Sequence, residues 1–277
     1  MLMTGTWSLE GVSGNSYIGW IFLSEMIGSF LLILIGNGVV ACSNLTTSKG
    51  RSGGWTAVIF GWMIAVFLGA LASQYSNAHM NFAVSLAVLI QSSVQETNVF
   101  AQGHEWLIII YLLGQFTGMF IAQIIVDLVY WLQIEKSDPL DILAMHCTSP
   151  AQSARTKKTY FFNFFAEFVG TFVLVVGITA ASFYLNKNGV AGKTHIEVSA
   201  LASVGIAAVV VGAVGFGLGG PTGFAINPTR DLAPRVVHQI MPLPNKGTSD
   251  WAYSWVPIVG PILGACTAAA LTLPLIN

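Results

Sequence analysis

The sequence predicts an all-α membrane protein: six transmembrane helices plus two re-entrant half-helices, arranged as an inverted repeat. Three observations predict it. The 277 residues are 54% hydrophobic and only 8% charged, with a mean hydropathy of +0.71, whereas a soluble domain carries about 25% charged residues. Six apolar stretches are long enough to cross a bilayer, and two more reach about halfway. The second half of the chain repeats the pattern of the first.

A spanning helix needs roughly 20 apolar residues. Residues 17–42 and 54–75 supply the first two spans, and 106–132 the third. Between the second and third lies a short segment, from Asn81 to about Gln91, preceded by the irregular run S-N-A-H-M. Residues 160–184, 198–218 and 251–275 supply the last three spans. The second short segment runs from Asn227 to about Gln239, after T-G-F-A-I. At ~1.5 Å per residue, each short segment covers about half of a ~30 Å hydrocarbon core. Irregular backbone at that depth survives only where protein or a water-filled cavity surrounds it.

The repeat favours re-entry over surface loops. Glu25, Gly28 and Phe30 match Glu167, Gly170 and Phe172; Asn81 matches Asn227; Gly114 and Gly118 match Gly260 and Gly264. The chain therefore reads as one domain, residues 1–277, with repeat one at about 17–132 and repeat two at about 160–275. Three spans per copy is an odd number, so the second copy sits upside down. Paired short segments in such a repeat mark the binding site near the midplane. The two half-helices then meet by their N-termini. The glycine pairs, four residues apart, suit close helix crossing.

Other classes are disfavoured by composition. The net charge is -1, which gives no electrostatic case for nucleic acid. Cys42, Cys147 and Cys266 match no disulfide framework or zinc spacing. No metal or cofactor site is expected. The segment before Tyr17 has no Lys or Arg and no clear cleavage site, so no signal peptide is expected.

The stretches N-A-H-M-N-F-A-V-S and G-P-T-G-F-A-I-N-P-T-R-D-L-A-P-R resemble the two signature loops of the aquaporin and glycerol-facilitator family, usually Asn-Pro-Ala. The resemblance runs from Glu25 to Gly264. The Asp after the arginine is similar to the glycerol-conducting branch. The stretch P-L-P-N-K-G-T-S-D-W-A-Y-S-W-V-P resembles glycerol facilitators of Gram-positive bacteria. The resemblance implies a right-handed bundle in the plasma membrane, a homotetramer with one pore per subunit, and cytoplasmic termini. Two departures stand out: Phe82 where proline is usual, and Thr229 where alanine is usual.

Two half-helices meeting head-on place two positive dipole ends at one point. Asn81 and Asn227 can each cap backbone N–H groups with the side-chain oxygen and offer the amide as a donor to a passing oxygen. A water held by both cannot readily relay a proton. Positive half-helix ends exclude protons and cations in aquaporin-type pores generally. Acceptors come from the carbonyls of 76–80 and 222–226, where the small residues Ala78 and Gly223 let the backbone line the path.

An arginine at membrane depth is a functional-site hypothesis by default. The resemblance places Arg230 at a selectivity filter with Phe224, Gly215 and an aromatic from span two. Phe60 is the expected aromatic, with Trp62 the alternative, because the segment up to Asn81 is one residue longer than in many relatives. Such a site suits a polyol, whose carbons slide on rings while hydroxyls bond Arg230 and carbonyls. Around it, Ala78, His79, Met80, Phe82, Gly223, Ala225 and Ile226 are expected to line the pore or brace its loops. Glu25 and Glu167 brace the loops by resemblance, and Asp231 pairs locally. His79 braces its loop or acts as a pH gate. Phe82 is expected to turn its ring away from the pore.

Loop charges disagree with the implied topology. Cytoplasmic termini put Lys49, Arg51, Lys136, Arg155, Lys157, Lys158 and Lys246 outside, with only Lys187 and Lys193 inside, against the positive-inside rule. The whole-chain resemblance outweighs that count. The expected activity is passive passage of glycerol and other small uncharged solutes, with water, through a channel in the lipid bilayer. The alternatives are mainly lactic acid, dihydroxyacetone, urea or hydrogen peroxide as substrate, or an ion-coupled secondary transporter. A transporter needs ionisable groups converging at the midplane, where this chain has asparagines. An intramembrane enzyme needs a nucleophile with its base, or a metal cluster, and no such spacing is present.

Overall fold

The computed structural model describes residues 14–95, 99–101, 103–187 and 196–276. In chain order its helices are α1 (Gly14–Asn44), α2 (Gly54–Ala72), α3 (Phe82–Gln91), α4 (Leu107–Val129), α5 (Trp131–Ile134), α6 (Pro139–Ala144), α7 (Lys157–Lys187), α8 (Ile196–Leu218), α9 (Pro228–Ile240) and α10 (Trp255–Ile276). No strand occurs among the described residues. α1, α2, α4, α7, α8 and α10 each contain a stretch long and apolar enough to cross a membrane. They coincide with the six expected spans to within about a turn, and α3 and α9 with the two half-spans.

Sequence accounts for these elements. In α1, α2, α4 and α10 the charged residues are Glu25 and Asp127 alone, and both are fully buried. Each half-helix is capped by its asparagine in extended backbone. Asn81 Oδ1 accepts from the N–H of Ala83 and Val84, and Asn227 Oδ1 from those of Thr229 and Arg230. These are the orphan donors of a first helical turn. Span two ends earlier than expected, at Ala72, because a 3₁₀ turn at Gln74–Ser76 takes up the residues that follow.

α1 packs on α2 and α4, α7 packs on α8 and α10, and α2 packs on α8. The half-helices cross over: α3 leans on α10 and α9 on α4. At two equivalent crossings the backbones touch. A Cβ on Gly118 would lie 2.1 Å from the Met26 carbonyl oxygen, and one on Gly264 2.2 Å from that of Phe168. Only glycine permits that approach, which substitutes for the hydrophobic drive that lipid removes.

The connection after α4 is more ordered than the sequence announced. α5 and α6 fold it back over one end of the bundle. Buried side chains anchor it: His146 Nε2 lies 2.9 Å from Asp127 Oδ1, Gln123 donates to the same oxygen at 2.8 Å, and Asn37 donates to Gln123 Oε1 at 2.6 Å and to the His146 carbonyl at 3.2 Å.

Candidate functional site

The segment before each half-helix has an unusual backbone. Asn77, Ala78 and Met80 have positive φ, as do Gly223, Phe224 and Ile226 in the second copy. A non-glycine residue held there costs on the order of 1 kcal/mol or more and persists only when its surroundings fix it. Two buried carboxylates fix it. Glu25 accepts from the N–H of His79 at 2.9 Å and of Met80 at 2.7 Å, from Ser76 Oγ at 2.5 Å and from Gln115 Nε2 at 2.8 Å. Glu167 accepts from the N–H of Ala225 at 2.9 Å and of Ile226 at 2.8 Å. A trans peptide points its C=O opposite to its N–H, so the carbonyls of Ala78 and His79, and of Phe224 and Ala225, face away from the carboxylates.

The two loops are also tied to each other. Asn81 Nδ2 donates to the Ile226 carbonyl at 2.8 Å, and Asn227 Nδ2 donates to the Met80 carbonyl at 2.7 Å. Each amide carries two hydrogens, so one is committed across the junction and one remains. The whole amide is therefore not free to face the pathway, contrary to expectation: one of its two hydrogens is spent on the opposite loop.

Two cavities lie end to end along this junction. One is lined by both asparagines, by Ala78, His79, Met80, Ala225 and Ile226, and by an apolar wall that includes Leu32, Val66, Leu174 and Val211. The other opens towards α6 and is bounded by Arg51, Trp55, Asp141, Gly223 and the segment 147–151. Trp62, Phe224 and Arg230 line both cavities, and no other described residue does. They form the neck between them. The Arg230 guanidinium lies over the Trp62 indole, 4.4 Å from Cζ to the ring centroid. Its Nη1 is buried and has no partner within the protein. The Phe224 ring meets Trp55 edge-on at 5.5 Å.

The expected aromatic was Phe60, and the structure corrects it. Phe60 is 52% exposed, its ring edge-on to Phe216 on the outer surface of the bundle, and it lines neither cavity. Trp62 is 4% exposed. Residues two apart on a helix point about 200° apart, so only one can face inward. A 3₁₀ turn at Gln74–Ser76 lies between α2 and Asn81, and in the observed register Trp62 is the inward residue.

Other sequence candidates fall around this neck. Gly215 lines neither cavity. A Cβ there would lie 3.2 Å from Phe224 Cζ, so its bareness makes room for that ring. Gly223 has φ +91°, which glycine adopts freely. Phe82 is half-buried at the first position of α3 and lines neither cavity. Thr229 Oγ1 lies 3.4 Å from Gln115 Oε1, joining α9 to α4. His79 Nδ1 is 3.1 Å from Ser85 Oγ, its ring sits 4.5 Å from that of Tyr111, and its Nε2 has no partner. Glu25, Glu167 and Asp231 line neither cavity.

Asp231 serves the wall. It accepts from Thr148 N and Oγ1, both at 2.7 Å, and pairs with Arg235 Nε at 2.9 Å and Nη2 at 2.7 Å. Arg235 is fully buried and also donates to the carbonyls of Ser249, Asp250 and Thr148. The sequence reading passed over Arg235. Its signal was the four-residue spacing from Asp231 on one helix face.

The arrangement brings two aromatic side chains and one guanidinium to the place where the cavities meet, with the two asparagines and their loops beyond it opposite an apolar wall. Residues 18–272 match the family model described as "Major intrinsic protein". The chain is 40% identical to "Glycerol uptake facilitator protein 3" of Lactiplantibacillus plantarum, over 90% of this chain and 94% of that one. It is 38% identical to "Glycerol uptake facilitator protein" of Streptococcus pneumoniae strain R6, over 88% and 94%. Its structure superposes on that of the aquaglyceroporin from Plasmodium falciparum with a TM-score of 0.74 and 28% identity, covering 94% of this chain and 97% of that one.

Proposed function

The chain belongs to the major intrinsic protein family, and on that premise we propose that it is a passive membrane channel for glycerol and other small uncharged solutes, with water. The observation that carries the proposal is the neck of Trp62, Phe224 and Arg230 shared by the two cavities. A polyol has a carbon side and a hydroxyl side. At this neck the carbons meet the Trp62 and Phe224 rings while a hydroxyl accepts from the unpartnered Arg230 Nη1. Further on, hydroxyls and waters accept from the free hydrogens of Asn81 and Asn227. The half-helix N-termini that meet there oppose cations and protons.

Proton coupling through the repeat-related carboxylates is disfavoured. Glu25 and Glu167 line neither cavity, and each accepts from two backbone N–H groups of a half-helix loop. They act as braces. The two-copy organisation, about 17–132 and 160–275, accounts for the crossed packing of α3 on α10 and α9 on α4. A homotetramer in the plasma membrane with cytoplasmic termini completes the proposal, with the α6 end of the pathway outward.

The test is stopped-flow light scattering of liposomes carrying the purified protein. An inward glycerol gradient should dissipate many-fold faster than in empty liposomes, with no dependence on a proton or sodium gradient. Saturable uptake abolished by an uncoupler would replace the channel by a coupled transporter. Labelling a cysteine placed beside Lys157, from outside intact cells, tests the orientation.

A further inference from the structure

We propose that Gly36, a residue outside the pathway, is a positioning residue that sets the aperture of the neck by fixing where the Trp62 indole rests. The proposal rests on the channel reading above. Gly36 lies on α1, buried, and faces the flat side of the indole's benzo ring. A Cβ on Gly36 would fall 2.3 Å from Trp62 Cζ3, 2.5 Å from Cε3 and 2.6 Å from Cη2, where ordinary contact begins near 3.4 Å. The ring is therefore seated against the backbone of α1 itself.

Neither partner can withdraw. At this level α1 is held by Asn37, the next residue, which donates to Gln123 at 2.6 Å and to the His146 carbonyl at 3.2 Å. Trp62 is 4% exposed and belongs to the main apolar core, with the Arg230 guanidinium over its face at 4.4 Å. The open volume beside the indole is the pair of cavities it lines. A methyl at position 36 must push the indole by about 1 Å, the shortfall from ordinary contact, towards Arg230 and into the neck. Glycerol is wider than water and feels that loss first. Missing volume on α1 is thus turned into width at the neck.

The experiment measures glycerol and water permeability in proteoliposomes for wild type, Gly36→Ala, Trp62→Phe and the double variant. One methyl too many in a tight site discriminates by about tenfold. Gly36→Ala should lower glycerol permeability about tenfold while water permeability falls much less. The double variant, with a smaller ring, should recover most of the glycerol-to-water ratio. Helix damage alone would lower both fluxes together and would not be relieved by Trp62→Phe. An unchanged ratio in folded Gly36→Ala, or a lowered ratio that Trp62→Phe does not restore, overturns the proposal. If Gly36→Ala does not fold, the double variant must fold and conduct; failure of both also overturns it. Wild-type protein that passes no glycerol would sink the channel reading itself, before any variant is compared.

Discussion

Asn227 donates its amide to the carbonyl of Met80 at 2.7 Å, joining residues that lie on opposite halves of the chain. The reciprocal bond runs from Asn81 to the Ile226 carbonyl at 2.8 Å. Each asparagine thus does three things: it caps its own half-helix, clamps the opposite loop, and keeps one amide hydrogen for the pathway.

Asn227→Ala removes one N-cap with its two hydrogen bonds, and one clamp. A lost N-cap costs about 1 kcal/mol, and the lost cross-bond about as much again. The variant should fold with a lowered melting temperature in detergent and lose most glycerol flux. Full flux with unaltered melting would remove Asn227 from the pathway and from the brace.

Glu167→Gln keeps the shape of the brace and one acceptor oxygen. The N–H groups of Ala225 and Ile226 each use a separate carboxylate oxygen. One of them is then left facing an amide NH2, at a cost of about 1–3 kcal/mol. Flux should fall, and a protonophore should change neither wild-type nor variant transport. Wild-type flux that a protonophore halts, and variant flux that it does not touch, would make Glu167 a coupling group.

Arg235→Ala leaves Asp231 charged and buried against the loop at Thr148. Breaking such a pair from one side costs about 3–5 kcal/mol. Denaturation should show that loss. Asp231→Ala combined with Arg235→Ala should lose clearly less than the two single losses added. Strict additivity would mean that the residues do not act as a pair.

Phe82→Pro tests the missing proline. At the first position of α3 no intrahelical bond uses the N–H, and proline there restricts the unfolded chain. The variant should gain up to about 1 kcal/mol and keep its glycerol-to-water ratio. A large change in that ratio would place the Phe82 ring in the pathway.

The spans, the half-helices and their asparagine caps were legible because length, hydropathy and capping are local properties of the chain. Arg230 and Phe224 were legible because they sit beside the second asparagine. Trp62 was not settled, since choosing between it and Phe60 requires counting back through the 3₁₀ turn at Gln74–Ser76. A single residue in that turn rotates α2 by about 100°. The crossed asparagine bonds were illegible for a different reason: each joins residues about half the chain apart, and nothing local marks the partner. The anchoring of the α6 loop through His146 and Asp127 is likewise a meeting of distant residues.

The most direct measurement compares Trp62→Ala with Phe60→Ala in one proteoliposome assay of glycerol, a longer polyol and water. With Trp62 in the neck and Phe60 on the outer surface, Trp62→Ala should change the glycerol-to-water ratio several-fold and admit the longer polyol, while Phe60→Ala leaves all three rates near wild type. A selectivity change in Phe60→Ala with none in Trp62→Ala would contradict the assignment of the neck and the register of α2 on which it rests.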